Sequence, residues 1–256
     1  MKPSPTPTPA ADRALSDLDP DRSASGILGH APDPGRYDGQ RYEADESTGL
    51  VGSFVPDGAR VLDVGCGSGL VSLLISTHRH ATLVGIEPNA RRAALGRARG
   101  LEVRTGFLTP ELLATLGSFD AIIFTDVLAH LADPAAMLRL VRPALNPGGV
   151  VVASLPNVAH WSVRASLLLG RFDHTEIGIM DAAHLRWFTF KTAGALFAHS
   201  GFTLHGMAGS AGRWMAEYRA LSPRWRRHLL PRLVHLSPAL FSCQIIVRAG
   251  LPRHAP

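Results

Sequence analysis

The stretch Val61-Leu62-Asp63-Val64-Gly65-Cys66-Gly67-Ser68-Gly69 sets three glycines at alternate positions between an apolar run and a helical segment that begins at Leu70. A short apolar run bounded by glycines reads as a buried strand. Glycine directly behind it lets the backbone take positive φ and pass close to a ligand. Strand, glycine loop and helix together restrict the chain to α/β architectures that bind a small molecule at the carboxyl end of the strand. The spacing is G-x-G-x-G with an acid, Asp63, ahead of it, and not the G-x-G-x-x-G of pyrophosphate-binding loops. An acid there suits a cationic or amine-bearing ligand. Glu87, closing the next strand, is placed to accept both hydroxyls of a ribose.

The rest of the chain fits this frame. Strands are expected at Arg60 to Val64, Ala81 to Ile86, Leu101 to Arg104, Phe119 to Thr125 and Val150 to Leu155. Helices are expected at Leu70 to Thr77, Asn89 to Arg99 and Pro134 to Leu145, with a turn at Asn146-Pro147-Gly148-Gly149. Strands alternating with helices at this spacing imply βαβ units and a parallel sheet. Beyond Pro156 the pattern breaks. Helices at Trp161 to Leu169 and Thr192 to His199 and a strand at Phe202 to Met207 precede amphipathic helices from Arg213 to Leu240, broken at Pro223, Pro231 and Pro238. A last strand covers Phe241 to Arg248. Insertions therefore follow strands five and six, where an α/β sheet carries its lids.

A chain of 256 residues, 46% apolar and 18% charged, suits one medium domain with a tail. Residues 1–35, rich in Pro, Ser, Asp and Gly, read as a flexible tail with a short helix near Ala11 to Leu18. Residues 36–250 form the domain, and 251–256 a C-terminal tail. No stretch reaches the roughly 18 apolar residues of a membrane span, and the N-terminus lacks a secretory apolar core, so a cytoplasmic location is expected. Cys66 and Cys243 make neither a disulfide framework nor a CxxC metal site. After Ala211 eight arginines face one acid, Glu217, which outweighs the +5 of the whole chain. Zinc-finger spacing and aromatic-rich RNA-binding signatures are missing, so nucleic acid is not the expected partner.

Val61 to Gly69 closely resembles the first motif of class I S-adenosylmethionine-dependent methyltransferases. Phe119-Asp120-Ala121-Ile122-Ile123 with Asp126-Val127-Leu128-Ala129-His130-Leu131 resembles their fourth-strand motif, and Leu145-Asn146-Pro147-Gly148-Gly149 their turn before strand five. The resemblance implies a Rossmann-like seven-stranded sheet with helices on both faces and its last strand antiparallel. It implies S-adenosylmethionine across the carboxyl ends of strands one, two and four. Gly65, Gly67 and Gly69 would line the amino-acid moiety and ribose. Asp63 would help hold the ammonium, and Glu87 the ribose hydroxyls. Two departures stand out. Phe107 follows Gly106 where relatives carry an acid for the adenine amino group, which leaves that contact to backbone near Leu108. Ala129 precedes His130 where relatives often carry Glu.

The segment from Leu155 through Trp161, Arg171 to Asp181 and His184-Leu185-Arg186-Trp187-Phe188-Thr189 resembles a bacterial subgroup similar to the ubiquinone-biosynthesis O-methyltransferase branch. That resemblance implies a small-molecule acceptor, a glycan or glycosylated metabolite. Methylation of a phenol or quinone precursor is one alternative and predicts Trp161, Phe172 and Trp187 around the acceptor. A cofactor-binding subunit without turnover is another. A sugar hydroxyl needs a base of near-neutral pKa. His130, His184 and His160 are the candidates, with His130 nearest the expected methyl and His184 also readable as a lid latch. Asp126 could bind cofactor or orient the acceptor, and no ligand spacing points to a metal. Tyr37, Arg41 and Tyr42 could fold over the cofactor. The basic C-terminal helices read as an amphipathic cap, or as a surface for phosphate-bearing acceptors or peripheral contact with anionic membranes. The oligomeric state is left open.

Overall fold

The structure, a computed structural model, describes residues 38–218 and 220–252. Strands β1 (Arg60–Val64), β2 (Thr82–Glu87), β3 (Glu102–Thr105), β4 (Phe119–Thr125), β5 (Leu145–Pro156), β6 (Thr203–Ser210) and β7 (Gln244–Gly250) make one sheet. Its order is β3-β2-β1-β4-β5-β7-β6. β1 to β5 run parallel, and β7 is antiparallel to both β5 and β6. Strand order reverses between β1 and β4, so a crevice opens beyond their carboxyl ends.

The strands are apolar at consecutive positions because helices cover both faces. Leu62, Ile122, Val151 and Val247 face one layer, with Leu113 of α4 (Pro110–Leu116), Leu138 of α5 (Pro134–Val141) and Phe197 of α7 (Phe190–His199). Their neighbours Val61, Ile123, Val152 and Ile246 face the other, with Val51 of α1 (Ser47–Phe54) and Ile75 of α2 (Leu70–Arg79). Most of these side chains are fully buried, and each contributes about 1.5–3 kcal/mol relative to exposure. The chain between β2 and β3 is α3 (Ala90–Ala98), capped by the Asn89 side chain on Arg92 N–H.

Both lids occur where expected. The first, after β5, begins with α6 (Trp161–Leu168). The second, after β6, holds α8 (Pro223–Leu236) and α9 (Pro238–Phe241). They share one apolar cluster, with Val163 and Ile179 from the first and Met215, Tyr218, Leu230 and Val234 from the second. The chain departs from its sequence pattern in three places. Pro231 lies inside α8 without ending it, because buried Leu230 and Val234 hold both sides of the proline to the same cluster. Strand pairing resumes across Asn146–Gly149, with a register shift between Phe119 and Ala121, so this turn is an irregularity within β5. Finally, α4 is an additional helix. Its signals are local: Thr109 caps Leu112 N–H at 3.2 Å, Pro110 occupies the first turn and Glu111 follows. The tail helix near Ala11 lies outside the described residues, as does Tyr37.

Candidate functional site

The glycine loop leaves β1 with Gly65, Gly67 and Gly69 all at positive φ, 78°, 57° and 78°. The positions differ in what surrounds them. A side chain at Gly69 would strike Leu101 at 2.5 Å and the Gly96 backbone at 3.0 Å, so this glycine lets the loop seat against α3. At Gly67 a side chain would meet nothing within 4 Å, so the backbone there faces open crevice. Glu87 is buried at the end of β2. Its Oε2 accepts from Gly67 N–H at 2.8 Å, and its Oε1 from Asn89 N–H at 2.9 Å. Each carboxylate oxygen keeps a further lone pair for a ligand hydroxyl. Asp63 is 1% exposed. Ser72 Oγ donates to its Oδ2 at 2.5 Å, while Oδ1 is buried without a hydrogen-bond partner among the described residues. Burial pushes its carboxyl up to about 7, opposed by Ser72 and reinforced by Glu87. A buried acid with one oxygen left without a hydrogen bond is what a cationic ammonium would satisfy.

The segment before α1 closes over this loop by a residue the sequence did not single out. Asp38 accepts from Ser68 Oγ and pairs with Arg99 at 2.7 Å, and hydrogen bonding to Arg99 holds its carboxyl low. Tyr42, by contrast, stacks on His78 with ring centroids 3.8 Å apart, away from the glycine loop. Phe107 is 69% exposed beyond β3, where Gly106 N–H donates to the Glu87 carbonyl at 3.0 Å. Leu108 turns its side chain into the core.

Beside the glycine loop stands the exit of β4. Val127 fills the space a side chain at Gly65 would need, with Cγ2 at 2.5 Å from it. Asp126 holds φ of +59°, unusual for a residue with a side chain. Its N–H donates to buried Ser154 Oγ at 2.9 Å. His130 ends a 3-10 turn, Leu128–His130. The first lid folds back on this turn. The Ala129 carbonyl accepts from Leu185 N–H at 2.9 Å and Arg186 N–H at 3.0 Å. The Ala183 carbonyl lies 3.0 Å from His130 Nδ1. Asp126, His130 and His184 thus meet, each offering one donor atom, all within 4.8 Å of one another.

The surroundings push the two imidazoles in opposite directions. His184 is buried, with Nδ1 at 3.2 Å from the Ile179 carbonyl and Nε2 at 3.7 Å from Asp126 Oδ1. Both ring nitrogens face acceptors, which favours the doubly protonated ring. Burial opposes the charge, but Asp126, Asp181 and the Ile179 carbonyl outweigh it and raise the pKa. Burial lowers that of His130; Asp126 opposes this, and the charge on His184 adds to the lowering. In a neutral His130 ring, donation from Nδ1 to the Ala183 carbonyl would leave the Nε2 lone pair as an acceptor. The same three donors could bind a divalent cation only if His184 gave up its proton.

His160 takes a different place from the one its sequence position suggested. It is fully buried. Its Nδ1 lies 2.9 Å from Ser162 Oγ and caps α6, and its Nε2 lies 2.8 Å from the Tyr218 hydroxyl. Burial pushes its pKa down to about 4. With both nitrogens engaged, His160 joins the lids and is not free to take a proton. Trp161 also bonds the Tyr218 hydroxyl, at 3.1 Å, whereas Phe172 and Trp187 pack together with ring centroids 5.9 Å apart.

A sequence profile described as a methyltransferase domain matches residues 37–205. The chain is 32% identical over 135 residues to a protein of Cereibacter sphaeroides named ubiquinone biosynthesis O-methyltransferase, an overlap of 50% of this chain and 54% of that one. It spans about half the length of the curated relatives it matches. Among solved structures, N-methyltransferase NodS from Bradyrhizobium japonicum, in complex with S-adenosyl-L-homocysteine, superposes with a TM-score of 0.55 at 15% identity, covering 91% of this chain and 98% of that one. The [4+2]-cyclase SpnF gives 0.51 at 18% identity, covering 80% and 79%. These two likenesses establish the fold alone, and one of the names is not that of a methyltransferase. The profile match, over most of the domain and across both the glycine loop and the His130 turn, places the chain in the family of class I S-adenosylmethionine-dependent methyltransferases.

Proposed function

We propose that the protein transfers a methyl group to a hydroxyl oxygen of a sugar or glycosylated small molecule, with His130 as the general base. One observation supports this reading: His130 Nδ1 lies 3.0 Å from the Ala183 carbonyl, so a neutral ring would keep Nε2 as an acceptor, and burial pushes the ring's pKa down. S-adenosylmethionine supplies an electrophilic methyl on a positively charged sulfur. Gly67 leaves room for it, Asp63 would hold its ammonium and Glu87 its ribose hydroxyls. Phe107 would wall the adenine. The remaining work is alignment of the acceptor and removal of its proton. Nε2 of His130 takes that proton as the oxygen attacks. Burial first, and then His184, push the His130 pKa down, with Asp126 opposing, which favours an unprotonated ring beforehand. The curated relatives' name supports oxygen as the methylated atom.

Methylation of a phenol is the second reading. The relatives' name and the packed pair Phe172 and Trp187 favour it. Methyl-labelled S-adenosylmethionine, offered with nucleotide-linked sugars and with phenols, separates the two. An O-methyl sugar is expected, and label found on phenols alone would replace the first reading with the second. Tight binding of S-adenosylhomocysteine with transfer to neither class would leave a cofactor-binding subunit. His130→Ala should lower the single-turnover rate by roughly 10²–10⁴-fold with S-adenosylhomocysteine affinity unchanged. A loss below about tenfold would remove His130 from the chemistry and leave alignment alone as the source of rate.

A further inference from the structure

A second concave site lies on the acceptor side of the molecule, where the segment before α1 meets the start of α8. This pocket, of about 740 Å³, is lined by Arg41, Arg213, Arg226, Arg227 and His228, with Glu43 and Asp45 on the same wall. Its arginines fall into two groups. Arg213 is neutralised, pairing with Asp45 at 2.8 Å, Glu46 at 3.1 Å and Glu43. These contacts tie the second lid to the segment over the glycine loop. Arg41, Arg226 and Arg227 have no ion pair among the described residues. Arg226 reaches only the Arg213 carbonyl, at 3.4 Å, and its Nε is buried without a hydrogen-bond partner among the described residues.

The helix itself aggravates this excess. α8 begins at Pro223, capped by Ser222, and carries no acid in its first turn. The positive end of a helix dipole favours anions, yet here arginines crowd it. An anionic ligand would reverse the unfavourable term and satisfy the guanidinium groups together. Four arginines against Glu43, Asp45 and Glu46 leave one positive charge in excess, carried where Arg41, Arg226 and Arg227 line the pocket without an ion pair among the described residues, and the two phosphoryl groups of a diphosphate can reach more than one of these guanidinium groups.

The pocket also has the right address. β6 points the same way as β5, so its end at Ser210 lies at the edge of the sheet that carries the glycine loop. Trp214, next to Arg213, comes within 3.5 Å of where a side chain on Gly178 would begin. The adjacent Ile179 carbonyl accepts from His184. One short lid segment thus connects the pocket wall to the proton-transfer pair.

We propose that this pocket binds the diphosphate group of the methyl acceptor and so selects nucleotide-linked sugars over free ones. The choice of acceptor rests on the O-methylation reading; the anion site does not. Calorimetric titration of the full chain with inorganic pyrophosphate tests it, alongside titration with S-adenosylhomocysteine. Arg226→Gln with Arg227→Gln, both on α8, should weaken pyrophosphate at least about tenfold and leave S-adenosylhomocysteine within twofold. Raising salt should weaken pyrophosphate further. No binding of pyrophosphate at about 10 mM, or equal affinity in the double variant, would overturn the site. Sedimentation with phosphatidylglycerol vesicles forms the second arm. Protein that pellets with them and is released by pyrophosphate would assign the pocket to lipid headgroups and overturn the acceptor role. Failure of S-adenosylhomocysteine to bind would strike the methyltransferase reading and leave the pocket result standing.

Discussion

Around Gly67 nearly every group facing the crevice comes from one strand, the loop behind it and the end of the neighbouring strand. Around His130 the groups come from the β4 exit and from a lid that returns after a whole strand and helix. The first arrangement is local. Backbone bonds from Gly65 and Cys66 N–H to the Ile86 carbonyl, with Gly67 N–H on the Glu87 carboxylate, fix it wherever β1 and β2 pair. The second depends on tertiary docking, because the Ala183 and Ile179 carbonyls that set the two imidazoles belong to the lid. The glycine-loop geometry is thus written into the sheet, and the setting of the two imidazoles into the docking of the lid upon it.

Substitutions can break this division at either end. Glu87→Ala removes the carboxylate from the sheet end, and should weaken S-adenosylhomocysteine by about 1–3 kcal/mol through lost hydroxyl contacts. Calorimetry checks this, and unchanged affinity would detach the ribose from Glu87. At the lid, His160→Ala deletes the cap of α6 and the bond to Tyr218. Chemical unfolding should report a loss of about 0.5–2 kcal/mol, with cofactor affinity intact. A loss of turnover without loss of stability would return His160 to the list of bases.

The smallest effect distinguishes the two histidines. A lowered His130 pKa puts the acid limb of the rate profile below the ordinary histidine value near 6.5. In His184→Gln the lowering influence of that ring is gone, and the limb should move to higher pH. The sign for stability is opposite. The raised pKa of His184 means the folded state binds its proton more tightly than the unfolded chain. That contribution is full below about 6.5 and is lost as pH rises through the folded value. Wild type should therefore exceed His184→Gln in stability most clearly in mild acid. A difference that grew with pH would contradict the charged assignment.

The contrast between the two regions also explains what could be read from the chain. The glycine spacing, Asp63 and Glu87 are close in sequence and governed by backbone geometry, so their arrangement was legible. So were the seven strands, because burial on both faces leaves unbroken apolar runs such as Ala121 to Phe124. The roles of His130, His160 and His184 were not separable, since each depends on which carbonyl or hydroxyl faces its ring, and those partners come from distant loops. Asp38 was passed over for Tyr37 and Tyr42 because nothing local marks an acid that meets Ser68 and Arg99. The grouping of Asp126 with the two histidines likewise forms only when the lid folds back. Pro231 misled because its cost in a helix interior was weighed without the cluster that holds Leu230 and Val234.

The double acceptance at the Ala129 carbonyl makes the lid and the base an interlock. Swinging residues 183–186 off the sheet would release Leu185 and Arg186 from Ala129, and the His130 ring from Ala183, in one motion. In that open posture the imidazole proton is free to sit on either nitrogen. Only with the lid down does the Ala183 carbonyl fix which nitrogen carries the proton, so ring orientation and lid position are one and the same variable.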